Sequence, residues 1–349
     1  MISDDAQPAA PPSPAPRITR VHPIAALPGG EVHVHGSGLA PEGGRLPVAM
    51  LGEMAAGVLL SREERLVLRI PDEGESALLR VLRNGAQSNS VPFDVADLLA
   101  TGIHQVASPA VDPLGNIYAT FSGARGQETP VSVFRITSSG EAAPFVTGIT
   151  NATGLAIGPD GYLYVSSRND GTIYRVSPEG AVSNYSEGMG IATGICFDGA
   201  GNLYVGDRSG TIFKIAPDRQ IFVYATLEPS ISAYHLAFGL DDRLFVTGPT
   251  TSSYDTLYAI AQDGTAAVHY RGLGRPQGIA LDVAGNVYVP ASLGGRRGIV
   301  QVSPDGTAEL VAAGSGIAGM AFVPGGDAVV ATAQALFTLP LGVEGLRLF

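Results

Sequence analysis

Apolar and polar positions alternate along this chain in short runs, four to six residues of branched or aromatic character broken by Gly, Pro, Asp or Asn. One phrase keeps returning. It reads GNIYAT around Tyr118, GYLYVS around Tyr164, GNLYVG around Tyr204, DRLFVT around Phe245, GNVYVP around Tyr288 and GDAVVA around Val329. The successive spacings are 46, 40, 41, 43 and 41 residues, close to the roughly 40–45 residues of one four-stranded propeller blade. Each copy parses into four strands. In the second, TGLAIGPDG is an apolar strand running into a turn, YLYVSS a second strand, GTIYRVSPEG a third and AVSNYSEG a fourth. The Pro-Asp-Gly and Pro-Glu-Gly turns (Pro159–Gly161, Pro178–Gly180, Pro304–Gly306) supply a fixed negative φ followed by a position that tolerates positive φ. A lone four-stranded sheet exposes both faces, so the copies must stack radially and close a ring.

The pattern therefore predicts an all-β protein. No helical periodicity free of Gly and Pro runs for twelve or more residues. Residues 97–349 are expected to form a six-bladed β-propeller, with two candidates for the strand that seals it. Leu346–Phe349 (LRLF) is available after the last copy. Leu98–Gly115 aligns without gaps to Pro144–Gly161, which gives the segment before the first copy the look of an outer strand.

Composition narrows the function classes. The net charge of −11, with Lys214 the one lysine of the propeller, excludes a general nucleic-acid role, which needs clustered Lys and Arg. No run of 18 apolar residues exists to span a membrane. The opening MISDDAQPAAPPSPAP has acidic residues and prolines where a secretory signal has basic residues and an apolar core. Residues 1–16 are expected to be disordered, and the chain to be a soluble, cytoplasmic monomer. The single thiol, Cys196, lies in an apolar strand (TGICFDG) and reads as a small buried hydrophobe.

Between the tail and the propeller, residues 17–96 hold closely spaced short strands and read as a small β-sandwich. This stretch resembles the IPT/TIG family of immunoglobulin-like domains. The likeness rests on Pro23, Pro28, Gly29 and Gly30, on the strand Val32–Leu39, and on the closing phrase Asn84–Phe93. His33 and His35 alternate with Val32 and Val34, so both imidazoles share one face of a strand. With His22 as a third ligand they would suit zinc. With the valines inward, as the family pattern implies, they sit on the solvated face.

The propeller resembles the NHL-repeat group and the senescence-marker-protein/gluconolactonase group, through GLAIGPDGYLYVSS (Gly154–Ser167). The resemblance implies a lactonase site in which Glu, Asn and Asp hold a divalent metal such as Ca²⁺ over the central channel. This chain departs from it. The matching positions carry Ser108, Thr153, Thr193, Tyr234 with His235, Gln277 and Ala318, and none is a carboxylate. No cofactor is therefore expected, and a divalent cation belongs only to an enzymatic alternative. G-x-S-x-G, Walker and H-E-x-x-H motifs are absent. The D-x-x-G-N phrases at Asp112, Asp198 and Asp282 lack the Glu of a calcium loop and read as inter-strand turns.

One constellation remains. Loops joining second to third strands share a face with loops leading into the next inner strand. On these loops stand Arg125, Arg168, Arg208, Arg296 and Arg297, with His104, Asn151, Tyr234, His235, Arg275 and Gln277 on the second set. Guanidinium groups bind carboxylate or phosphate bidentately. The candidate ligand-binding set is Arg125, Arg168, Arg208, Arg296, Thr153, Thr193, Tyr234 and Gln277; the competing reading pairs Arg168 with Asp170 and Arg208 with Asp207. The expected function is a ligand- or protein-binding scaffold whose partner is a small anion or another protein. The alternative is a divergent gluconolactonase-like hydrolase or lyase acting on a small anionic or sugar-lactone substrate, with His235 as catalytic base.

Overall fold

The structure, a computed structural model, describes residues 14–349, so the expectation of disorder falls outside the described residues for 1–13. All regular elements are strands.

In the N-terminal module, strands Arg17–His22, Glu31–Ser37, Arg65–Arg69 and Met54–Arg62 pair antiparallel in that order. Val48–Leu51, Ala77–Arg83 and Val91–Val95 form a second set. Their period-2 patterning sends Ile18, Val32, Val34, Leu66, Leu68, Leu79, Val81 and Phe93 into one buried cluster. Because Val32 and Val34 point inward, His33 and His35 lie partly exposed on the outer face, their rings 6.4 Å apart. His22 faces His33 across the strand pair, and its Nδ1 lies 3.5 Å from Glu309 Oε1. Among the described residues no three His, Cys, Asp or Glu side chains are grouped to hold a metal.

The rest of the chain has a propeller-like arrangement of consecutive four-stranded antiparallel units. Ala110–Val146, Ala152–Ser186 and Ala192–Thr226 each form a separate sheet. His235–Gly274 and Ala280–Ala313 repeat the same strand order and are joined where Leu273 and Gly274 pair with Leu293 and Ser292. The last unit takes Ile317–Phe322, Asp327–Thr332 and Ala335–Pro340, and its fourth strand is Asp97–Thr101. Of the two candidate sealing segments, the one preceding the first copy is used. The edge of Ala335–Pro340 is thereby covered rather than left as an open template.

The D-x-x-G-N phrases are turns with a specific economy. Asp112, Asp198 and Asp282 each accept the side-chain amide of the following Asn (2.8, 2.7 and 2.7 Å) and the hydroxyl of the tyrosine two residues later (3.2, 3.1 and 3.1 Å). Every such carboxylate is thus occupied in pinning an inner-strand hairpin to the tyrosine that fills the inter-unit core. Burial, then the neighbouring carboxylate, pushes the Tyr118 hydroxyl up to about 12.

The module is stitched to the propeller by backbone pairing. Ala25–Ala26 lies parallel to both Asp94–Val95 and Ala312–Ala313. Leu27 N–H donates to Ala313 O at 2.8 Å, and a Cβ at Gly30 would stand 2.8 Å from that same oxygen, which accounts for the glycine. Ala25, Leu27 and Ala96 pack with Ile299, Ala312 and Ile317 in a shared apolar cluster.

Candidate functional site

The inner strands of the propeller converge on a narrow waist. At the same register of successive units stand Ser108, Gly154, Gly194, His235, Gly278 and Gly319. A Cβ at Gly154 would lie 2.2 Å from Thr193 O, one at Gly194 2.4 Å from Tyr234 O, and one at Gly319 2.4 Å from Ser108 Cα. Neighbouring inner strands are close enough for Gly194 N–H to donate to Tyr234 O at 2.8 Å. His235 puts an imidazole where four of the other units have glycine. It is 3% exposed, its Nε2 is buried without a hydrogen-bond partner, and burial alone draws its pKa down to about 4.

Two registers further along, Ala110, Ala156, Cys196, Ala237, Ala280 and Ala321 are all small and leave an axial cavity of about 240 Å³. Its far side is covered by Leu346, Leu348 and Phe349, the segment that the sequence offered as a sealing strand. Leu346 N–H donates to Leu281 O at 2.8 Å, and the Phe349 ring meets Phe197 edge-on at 6.2 Å. Cys196 forms part of the cavity wall, where burial, then Asp198, holds its thiol far above the ordinary range, as befits an unreactive structural cysteine.

The other side of the waist is the loop face. Arg168 is half-buried and reaches from the second unit to the first, donating from Nη2 to Gly123 O (3.1 Å) and Ser122 Oγ (3.3 Å), while its Nε is buried without a partner. Burial, then the charges of Arg125 and Arg208, holds its pKa below the ordinary guanidinium value. Those three arginines are therefore neighbours. Asn151, at φ 52°, clamps the loop beneath them by accepting Gly126 N–H (2.6 Å) and donating to Ala124 O (2.9 Å).

The loop aspartates do not neutralise this cluster. Asp170 accepts Thr172 N–H (3.0 Å) and the Tyr174 hydroxyl (3.1 Å). Asp207 accepts Ile191 N–H at 2.8 Å and the Ser209 hydroxyl, and Arg208 Nε turns instead to Ser230 O at 3.3 Å. Among the described residues no carboxylate lies within ion-pair distance of Arg125, Arg168 or Arg208. The pairing of Arg168 with Asp170 and of Arg208 with Asp207 is therefore not what forms: Asp170 satisfies its own loop's backbone, and Asp207 bridges to the backbone of the loop that leads into the inner strand.

Other sequence candidates are placed elsewhere. Arg296 faces the N-terminal module, where its charge and that of Arg20 bear on each other and on His22. Gln277 lines a separate recess with Arg275 and Arg297. Thr153, Thr193 and Tyr234 are 2%, 1% and 1% exposed. Their hydroxyls bond to Asn151 O (2.9 Å), Gly206 O (2.8 Å) and Glu228 O, and so they brace the waist. The axial cavity and its covering segment are absent from the sequence reading. Aligning the copies at the residue opposite the repeated Tyr, Phe or Val, Ala156 with Cys196, Ala237, Ala280 and Ala321, carries the signal for the cavity; nothing local signals the cover.

No protein-family model matches this chain, and no curated protein matches it by sequence. Solved structures do. A gluconolactonase from Xanthomonas campestris superposes with a TM-score of 0.56 at 16% identity, covering 69% of this chain and 88% of that one. An auxiliary nutrient binding protein from Bacteroides thetaiotaomicron gives 0.56 at 10% identity over 94% of this chain and 98% of its own. A virginiamycin B lyase from Staphylococcus aureus gives 0.51 at 15% identity over 84% and 99%. At these identities the likeness establishes the propeller scaffold, on which unrelated chemistries recur.

Proposed function

We propose that this protein is a six-bladed propeller with an IPT/TIG-type module, and that its arginine-bearing face binds a small polyvalent anion without turning it over. One observation carries the reading: Arg168 is half-buried, has an unpartnered Nε, and stands beside Arg125 and Arg208 with no carboxylate to balance them. Desolvating like charges is costly unless an opposite charge arrives. A carboxylate- or phosphate-bearing ligand would satisfy the guanidinium fork and relieve the repulsion together. In a chain of net charge −11 such a patch also gives an anion a defined place to dock.

The enzymatic alternative has weaker support. His235 is sealed at the waist and no charged group contributes to its shifted pKa, so it does not share a site with the arginines. A base of pKa about 4 is also poorly matched to work near neutral pH. The positions that would hold a divalent metal carry Ser108, Thr153, Thr193 and Gln277, a donor set without anionic oxygen, and they do not fit a resident cation.

The test is calorimetric titration with inorganic phosphate, pyrophosphate and citrate at low and physiological ionic strength. Saturable binding that weakens with salt is expected. Arg168→Ala should weaken it by about tenfold, in the range of a lost charge-assisted hydrogen bond. Arg243→Ala, which removes an arginine already paired with Asp241, should not. Equal effects of the two substitutions, or no saturable heat with any of the anions, would remove the proposal.

A further inference from the structure

On the far side of the waist the molecule has a cavity that the arginine face does not use. The axial cavity is about 240 Å³ and its wall combines small side chains, Ala156, Cys196, Ala237, Ala280 and Ala321, with the inner-strand backbones between them. An apolar cavity of about 150 Å³ is large enough to hold benzene, so this one accommodates a second fused ring. The wall carries one imidazole, His235, which is 3% exposed and whose Nε2 is buried without a partner. Leaving a buried polar group unpaired costs about 1–3 kcal/mol, a penalty that a ligand bearing a single donor or acceptor would offset. The one charged side chain at the cavity, Arg347, belongs to the covering segment, so the strand-built wall favours a neutral occupant.

Three backbone hydrogen bonds hold the base of the cover. Val343 N–H donates to Gly326 O (3.0 Å), Glu344 O accepts from Val283 N–H (3.0 Å), and Leu346 N–H donates to Leu281 O (2.8 Å). Beyond Leu346 the contacts are side-chain packing alone: Leu348 sits against the cluster of Phe238 and Leu236, and Phe349 against Phe197. Leu348 and Phe349 can therefore swing away while the three backbone bonds behind them stay intact.

We propose that the axial cavity is a binding site for a small neutral molecule of one or two fused rings bearing one N–H or O–H, recognised by His235, with Leu346–Phe349 as its lid. The proposal stands independently of anion binding on the opposite face.

Indole is the probe, because the chain has no tryptophan and indole emission can be read against its tyrosines alone. With the full chain, indole fluorescence should shift to the blue and saturate. Ala321→Met, which fills the cavity from its wall, should weaken binding at least tenfold. His235→Phe should weaken indole by about tenfold, one hydrogen bond, and leave naphthalene, which has no donor, within about threefold. Cys196, the only thiol, reports the lid: deleting Leu346–Phe349 should accelerate its labelling by methyl methanethiosulfonate, followed by mass spectrometry. Leu348→Ala in the full chain should do the same to a lesser degree and serves if the shortened chain fails to fold. Unsaturable indole emission, or binding indifferent to Ala321→Met, overturns the site. Equal losses of indole and naphthalene in His235→Phe overturn the role of the imidazole. Labelling of Cys196 unchanged by either lid variant overturns the lid.

Discussion

His235 should make the fold acid-sensitive, and replacing it should remove that sensitivity. Its imidazole is buried with Nε2 unpartnered, and burial alone lowers its pKa from 6.5 to about 4. Each pKa unit corresponds to about 1.36 kcal/mol, so the shift is linked to about 3 kcal/mol of stability. The sign follows from which state holds the proton. Below pH 6.5 the unfolded chain takes up a proton that the folded protein refuses until the pH approaches about 4. This contribution is therefore intact above 6.5, falls as the pH drops through that window, and levels off below it. Against a total stability of about 5–15 kcal/mol, the loss is large. The assay is urea unfolding of the wild type and His235→Phe at steps from about pH 7 to about pH 4. Carboxylates and the other histidines titrate in both proteins, so the difference between the two curves isolates His235. That difference should move by about 3 kcal/mol in favour of the variant as the pH falls. Two curves that stay parallel across the window would refute the reasoning, whatever their constant offset.

Two further outcomes follow from packing. Gly319→Ala would place a Cβ 2.4 Å from both Ser108 Cα and Ser108 N, backbone atoms that cannot step aside, and should cost about 3 kcal/mol or more in urea unfolding. Gly199→Ala, with nothing within 4 Å and no positive φ, should be close to neutral, and a similar cost at both positions would contradict the waist geometry. A chain beginning at Ser108 lacks Asp97–Thr101 and exposes the Ala335–Pro340 edge, so it should associate on size-exclusion chromatography more strongly than a chain beginning at Ala96, which retains that strand and, like the Ser108 chain, has lost the Ala25–Ala26 cover of Ala312–Ala313. A monomeric, cooperatively melting Ser108 chain would mean that this strand is not what seals the ring.

The repeated phrase around Tyr118, Tyr164, Tyr204, Phe245, Tyr288 and Val329 was enough to predict an all-β propeller, because turn chemistry and period-2 burial are local properties of the chain. The same locality made the D-x-x-G-N segments legible as turns, and the structure adds only which tyrosine each aspartate holds. Arg125, Arg168 and Arg208 were placed on one face by strand order alone. That they lack acidic partners was decided by tertiary contacts, since Asp170 and Asp207 go to backbone donors that a linear reading cannot rank. Arg296 shows the converse: its loop position matches that of Arg208, yet the docked module draws it into different company. LRLF has the composition of a strand, and its fate depended on which edge was already taken. Asp97–Thr101 occupied the Ala335–Pro340 edge, so Leu346, Leu348 and Phe349 buried their apolar surface over the axial cavity instead. Local sequence dictates which segments become strands and turns, but pairing, burial and the balance of charge are relations between residues far apart in the chain, and only closing the ring fixes them.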